Sequence, residues 1–421
     1  MIDRDKHPCF NIAAKGSCAR VHLPVAPKCN IKCNYCNRKY DCVNESRPGV
    51  TSSVLEPAQA LTYLREVVAR LPETTVAGIA GPGDAFAEPI KTLETLELIR
   101  EEFPEMILCL ATNGLNAADY VDELARLDVS HVTITVNCVD PEIGAKIYAW
   151  VRHGKFVLRK KRAAEILLEQ QLKTIELLKS RGIIVKANTI VIPGVNDKDL
   201  EAVSLKMARM GVDIQNLMPI YPNDGTPFED IASPSDEFMG SVRAKAENTI
   251  SQMTHCTRCR ADAVGLLESD RSAEFHGCMQ SCAERPVDDD PRKPYVAVAT
   301  MEGILVNQHL GEAPRFQIWE KNSQGFNMIE ERTAPEPGGG DARWRELTKI
   351  LQDCRAVLVS GIGEKPRKML SEKNILPVEM DGYIHRGLEA VYNGIDLSGL
   401  KARRKAPGQL NGCLGGGTGC G

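Results

Sequence analysis

Cys29, Cys33 and Cys36 follow one another as C-x3-C-x2-C in "CNIKCNYCNRKYDC", and Cys42 closes the same stretch. Three thiolates at this spacing can hold three irons of a [4Fe-4S] cluster and leave the fourth iron open. Clusters that only transfer electrons saturate every iron with cysteine. An open iron can take a chelating substrate. The competing chemistry is zinc, which needs a fourth ligand that Cys42 can supply. Cys256 and Cys259 form a second, C-x2-C pair. With Cys278 and Cys282 they read as C-x2-C-x18-C-x3-C, close to a zinc ribbon, so zinc and iron–sulfur both stand for this pair. Cys18, Cys138 and Cys354 carry no spacing signal and are expected to be small buried residues. Cys413 and Cys420 lie in the glycine-rich ending "NGCLGGGTGCG", where transient cluster delivery and plain disorder are both open.

Something must carry these thiols. From about residue 20 to residue 255 strand-like and helix-like stretches alternate, beginning with "VHLPVAP" (21–27) and the helical "EPAQALTYLREVVARL" (56–71). "TTVAGIAG", "MILCLAT", "HVTITVN", "IIVKANTIVI" and "IQNLMPIY" supply five more strands. Six strand–helix units predict an α/β fold, a partial (βα)6 TIM-like barrel rather than a closed eight-fold one. Turn residues fall after the strands, in "GPGD", "TNG", "NCVD" and "YPNDG". The cysteine loop also follows a strand, so thiols and turns are expected at the same C-terminal rim, where such barrels gather their chemistry.

Residues 283–294, "AERPVDDDPRKP", read as a linker between a barrel unit (1–282) and a second, smaller α/β domain (295–400), followed by a flexible tail (401–421). The bounds exclude several classes. Lys+Arg 52 against Asp+Glu 56 gives a net charge of −4, which speaks against nucleic acid as the main partner. The opening "MIDRDKHPCFNIAAKG" has no apolar signal core and no stretch suits a membrane span, so a cytoplasmic protein is expected. In that compartment thiols stay reduced, and fifteen cysteines point to metal or redox chemistry rather than disulfides.

The spacing, its place after the first strand and the aromatic Tyr35 before the third cysteine resemble the radical S-adenosylmethionine (SAM) enzymes. That resemblance implies that SAM chelates the open iron and is cleaved to a 5'-deoxyadenosyl radical. It also implies that Gly81 and Gly83 let backbone approach the methionine amine, and that Thr135, Asn188 and Ile190 border the ribose and adenine. An ordinary turn and barrel packing are the alternatives. Residues 7–53, with "AGPGDAFA", "ATNGL" and "CTRCRADAVGLL", further resemble the NifB family of nitrogenase cofactor-maturation proteins. The region after 294 resembles small cofactor-binding domains of the NifX and NafY type. This closer resemblance implies fusion of two auxiliary [4Fe-4S] substrates around a SAM-derived carbide. Cys9, His22 and Cys109 would hold one cluster beside the barrel mouth, and Cys256 with Cys259 the other. Without the resemblance, His22 reads as a satisfied strand histidine. Cys42 and Glu45 would either occupy the open iron or serve an auxiliary cluster. Partners implied are SAM, iron–sulfur donor proteins and carriers of the finished cofactor. A cluster scaffold and a peptide-modifying radical SAM maturase are the alternative functions.

Overall fold

The structure, a computed structural model, describes residues 2–46, 49–283, 292–322 and 325–393. The chain divides into two compact units, Met1–Glu284 and Arg285–Gly421. Most of the expected linker and all of the tail, with Cys413 and Cys420, fall outside the described residues.

In the first unit six parallel strands lie side by side in chain order: Ala19–His22, Thr74–Ile79, Ile107–Thr112, Val129–Thr135, Ile184–Val191 and Ile214–Pro219. They form the open, curled half-barrel that the alternating pattern predicts. Helix Pro57–Arg70 starts where a proline suits the first turn, and Glu56 and Gln59 cap each other's backbone. Its Leu61, Leu64 and Val67 pack against strand residues such as Val21, Ala77 and Leu108 in one apolar core.

Three features depart from the sequence reading. The first strand ends at His22 rather than running to residue 27, because Pro24 and Pro27 lack the N–H that a ladder needs. An antiparallel pair, Val264–Leu266 and Ser269–Asp270, extends the sheet beyond that strand. Between the fourth and fifth barrel strands a hairpin, Tyr148–His153 with Phe156–Leu158, joins Ile31–Cys33 in a separate three-stranded sheet.

The second unit is a five-stranded mixed sheet. Tyr295–Val298 lies at its centre, parallel to Cys354–Val359 and antiparallel to Arg315–Asn322. Two apolar clusters, around Trp344 and Phe316 and around Met380 and Leu388, include alternate residues of the central strand. That alternation is what a sheet covered on both faces requires.

Among the described residues no helix is long and apolar enough to cross a membrane.

Candidate active site

The loop after the first strand carries the C-x3-C-x2-C thiols, and Cys33 is fixed by antiparallel pairing with Tyr148. Cys29, Cys33 and Cys36 line one cavity of about 420 Å3 together with Cys42, Gly83 and Asp84. Side-chain amides face the sulfurs, with Asn44 Nδ2 4.0 Å from Cys33 Sγ and Asn113 Nδ2 3.9 Å from Cys29 Sγ. The Tyr35 hydroxyl donates to Asn44 Oδ1 at 2.6 Å and accepts from Asn137 Nδ2 at 2.7 Å. The buried tyrosine therefore aims the amide at Cys33. Asp84 ties two loops together by accepting from Thr112 Oγ1 at 3.0 Å and the Asn113 amide at 2.6 Å. Burial pushes the Cys29 thiol up to about 12 and raises Cys33 as well, with Cys36 adding to the latter. Metal binding must displace those thiol protons.

A second cavity of about 660 Å3 lies inside the barrel. His22, Gly78 and Cys109 stand in register across the first three strands. A Cβ on Gly78 would come within 2.9 Å of Cys109 Sγ and 3.3 Å of His22 Cδ2, so the missing side chain keeps open the space between imidazole and thiol. His22 Nδ1 lies 2.9 Å from the Arg260 carbonyl. A proton assigned to Nδ1 leaves the Nε2 lone pair free as a ligand. Burial, helped by Arg20, holds His22 down to about 4, which keeps it neutral.

Cys9 reaches this cavity on the N-terminal segment. That segment is tied down by Thr75 Oγ1 donating to the Lys6 carbonyl at 3.1 Å and by contact of His255 Nε2 with the Pro8 carbonyl at 3.0 Å. Cys256 and Cys259 lie on the segment that runs from Gln252, bridged to Gln215 of the sixth strand, to Val264, paired with Val21 of the first. Arg20, only 1% exposed, donates from Nη2 to Cys259 Sγ at 3.1 Å. Burial raises Cys9 to about 11 and Cys109 to about 12, and Lys186 opposes both shifts. Lys186 itself is 8% exposed and sits 5.0 Å over the Phe10 ring. No hydrogen bond or ion pair to its amine is present among the described residues, and in the same cavity it pulls against the upward shift of the Glu45 carboxyl.

The two cavities meet at Glu45 and Ala111, which line both. The Glu45 carboxyl accepts from Thr135 Oγ1 at 2.7 Å and Asn188 Nδ2 at 3.0 Å. Burial pushes it up to about 8.

All five residues expected as auxiliary ligands, Cys9, His22, Cys109, Cys256 and Cys259, line this one cavity. Thr135 borders the thiol cavity, whereas Asn188 faces the second one. Ile190 packs with Cys33 and Tyr35 in an apolar cluster and lines neither cavity. Cys282 belongs to the core beneath helix Ser272–Ala283, with Cys278 packed against it, so the four-cysteine ribbon does not assemble. Cys18, Cys138 and Cys354 are buried as expected. Among the described residues no three His, Cys, Asp or Glu side chains are drawn close enough to hold a single metal ion. A cluster spreads its irons over a larger body. Sequence reasoning missed Arg20 and Lys186, although a lone charge in "CARVHL" and in "IIVKANTIVI" was the available signal.

The Radical SAM superfamily is matched over residues 23–205, and the Dinitrogenase iron-molybdenum cofactor family over residues 292–394. The "FeMo cofactor biosynthesis protein NifB" of Chlorobaculum tepidum is 47% identical over 416 residues, covering 98% of this chain and 98% of its own. The protein of the same name from Klebsiella pneumoniae is 39% identical over 406 residues, covering 88% of this chain and 86% of its own. The chain belongs to the NifB family. As a radical SAM protein of that family it is implied to use a [4Fe-4S] cluster and SAM. The thiol cavity fits them, with three sulfurs around one space, amides directed at two of those sulfurs, and Gly83 and Asp84 completing the lining.

Gly83 has a more specific task in this NifB-family chain than backbone approach to a ligand. Its N–H donates to the Ala26 carbonyl at 2.6 Å, and a Cβ would meet the Lys28 carbonyl oxygen at 2.1 Å. Gly81, at φ +120, supports the turn and does not line the cavity. Gly83→Ala is therefore expected to displace the segment leading into Cys29, at an overpacking cost of about 1–3 kcal/mol. Thermal unfolding should register a lower Tm, and equilibrium dialysis a weaker hold on SAM. A variant that keeps both would show that the loop absorbs the methyl group.

Proposed function

We propose that this protein builds a carbide-centred eight-iron precursor of the nitrogenase cofactor from two [4Fe-4S] substrates and a carbon taken from SAM. The observation that supports this reading is the shared wall at Glu45 and Ala111, which puts the thiol cavity beside a second one furnished with five iron-binding side chains. When bound, the cluster and SAM supply a methyl group and a hydrogen-abstracting radical. The chain's own residues do the rest. Cys9, His22 and Cys109 hold one substrate and Cys256 with Cys259 the other. Few ligands per cluster leave irons free to be bridged. Arg20 and Lys186 balance the negative charge of sulfide-rich substrates. Glu45 holds a proton at the boundary between the cavities. Iron–sulfur donor proteins of the cytoplasm would supply the substrates, and a cofactor carrier would receive the product.

The test is to incubate reconstituted protein with SAM labelled at the methyl carbon and extract the iron–sulfur product. Label inside an extracted eight-iron cluster is the expected result. Intact label in SAM or methylated by-products alone would leave a storage scaffold as the better account.

The second unit has its own sheet and both its own apolar clusters. A chain ending at Glu284 is accordingly expected to fold, cleave SAM and still make the precursor, while losing retention of the product. Gel filtration of the labelled product with full-length and shortened proteins measures this. A shortened protein that cleaves SAM but makes no precursor would place the second unit in the catalytic machinery.

A further inference from the structure

The hairpin inserted between the fourth and fifth barrel strands is bonded directly to the cluster loop. Tyr148, Trp150 and Val151 pair with Cys33, Lys32 and Ile31. Residues 148–162 read "YAWVRHGKFVLRKKR", six Lys or Arg and no acid in a chain whose net charge is −4. Lys161 and Arg162 reach Glu142 at 2.6 Å and Glu165 at 3.3 Å. Arg152, Lys155, Arg159 and Lys160 are exposed and form no ion pair among the described residues. Where the second arm begins, next to the turn, Phe156 is 73% exposed and Val157 46%.

Nothing in the local fold asks for this charge. Lys160, Lys161 and Arg162 occupy the first turn of helix Lys160–Ser180, which contains no acidic residue. Cations there oppose the helix dipole. Lys160 also sits at φ +52, a conformation unfavourable for a residue with a side chain. An apolar tip ringed by unpaired cations has the anatomy of a protein-docking patch, with an acidic partner as its complement.

The radical SAM reading, on which this inference rests, says what such a partner brings. Each reductive SAM cleavage consumes one electron from outside the protein. Arg152 is four residues from Tyr148, so the patch begins about 13 Å along the strand from the Cys33 pairing, at roughly 3.3 Å per residue. We propose that the hairpin Tyr148–Leu158 and the first turn of the following helix dock an acidic one-electron carrier protein that reduces the bound radical SAM cluster. One electron leaves the carrier, which is oxidised by one, and enters the cluster, which is reduced by one.

The test compares two reductants on the full-length reconstituted protein: dithionite, which needs no docking, and reduced flavodoxin, an acidic carrier without iron that cannot act by donating clusters. The combined variant Arg152→Glu, Lys155→Glu, Arg159→Glu is expected to form 5'-deoxyadenosine at least tenfold more slowly with flavodoxin and at the unaltered rate with dithionite. The flavodoxin-driven rate of the unaltered protein should also fall with added salt, as screening predicts. An equal flavodoxin-driven rate in the variant overturns the proposal. Should the combined variant lose the dithionite rate too, the single Lys155→Glu change at the exposed turn decides, since a loss confined to flavodoxin supports docking and no selective loss overturns it. A normal flavodoxin rate with impaired uptake of clusters from a donor protein would assign the patch to that donor and remove the carrier. Failure of the unaltered protein with dithionite would instead count against the radical SAM reading itself.

Discussion

Cys33→Ala is expected to abolish 5'-deoxyadenosine formation, down to the background of reductant and SAM without protein. Cys33 is 4% exposed, and strand pairing to Tyr148 fixes its backbone. Asn44 and Tyr35 are already oriented toward it. Losing a first ligand should exceed the ~10–100-fold loss typical of changes to outer-shell partners of a metal. Cys29→Ala and Cys36→Ala should behave alike. Liquid chromatography of the nucleoside product, with iron content in parallel, reads the effect. Product at the unaltered rate from Cys33→Ala would move the radical SAM cluster elsewhere.

The second large effect belongs to the inner cavity. Cys9→Ala and Cys109→Ala should each lower bound iron by about four atoms, one cubane. They should leave deoxyadenosine formation intact, because neither residue lines the thiol cavity. Labelled carbon should no longer appear in the extracted cluster. Cys9 lies close enough to Cys256 and Cys259 for their charges to raise its thiol further. Electron paramagnetic resonance of the reduced Cys9→Ala protein should therefore show a perturbed signal from the remaining auxiliary cluster as well as a missing one. Auxiliary signals identical to those of the unaltered protein in both variants would make these cysteines structural.

The parts of this site that were legible in the sequence are those whose chemistry is local. The cluster thiols sit within one loop, and glycine-rich turns follow strands that announce themselves by apolar runs. Helix Pro57–Arg70 matches the stretch 56–71, where Pro57 suits a first turn and Leu61, Leu64, Val68 and Leu71 recur at helical spacing. What the sequence hid depends on tertiary register. His22 and Cys109 meet only because Gly78 stands between them in neighbouring strands. Arg20 looks like a surface charge until the antiparallel extension covers it and supplies the Gly265 and Leu266 carbonyls. The C-x2-C-x18-C-x3-C spacing misled for the converse reason. Cys278 and Cys282 are a turn apart on a helix whose apolar face is committed to the core, and no spacing rule reports which way that face turns. The hairpin lies between "HVTITVN" and "IIVKANTIVI", where the alternating pattern gives only a helical segment and no sign of an inserted strand pair.

Gly78 carries a wider consequence. A barrel of this kind ordinarily fills its middle with layers of branched side chains, and that filling is much of what makes it rigid. Here the row that should contribute a side chain contributes none, and the adjoining positions offer ligands instead of bulk. Such a protein is hollow by composition, and on the proposed function the clusters it binds would serve as a detachable part of its core. By mass action, whatever binds the folded state alone also stabilises it. Loading would then stiffen the barrel and unloading soften it, so each handover of product would return a looser vessel, readier to admit the next pair of clusters.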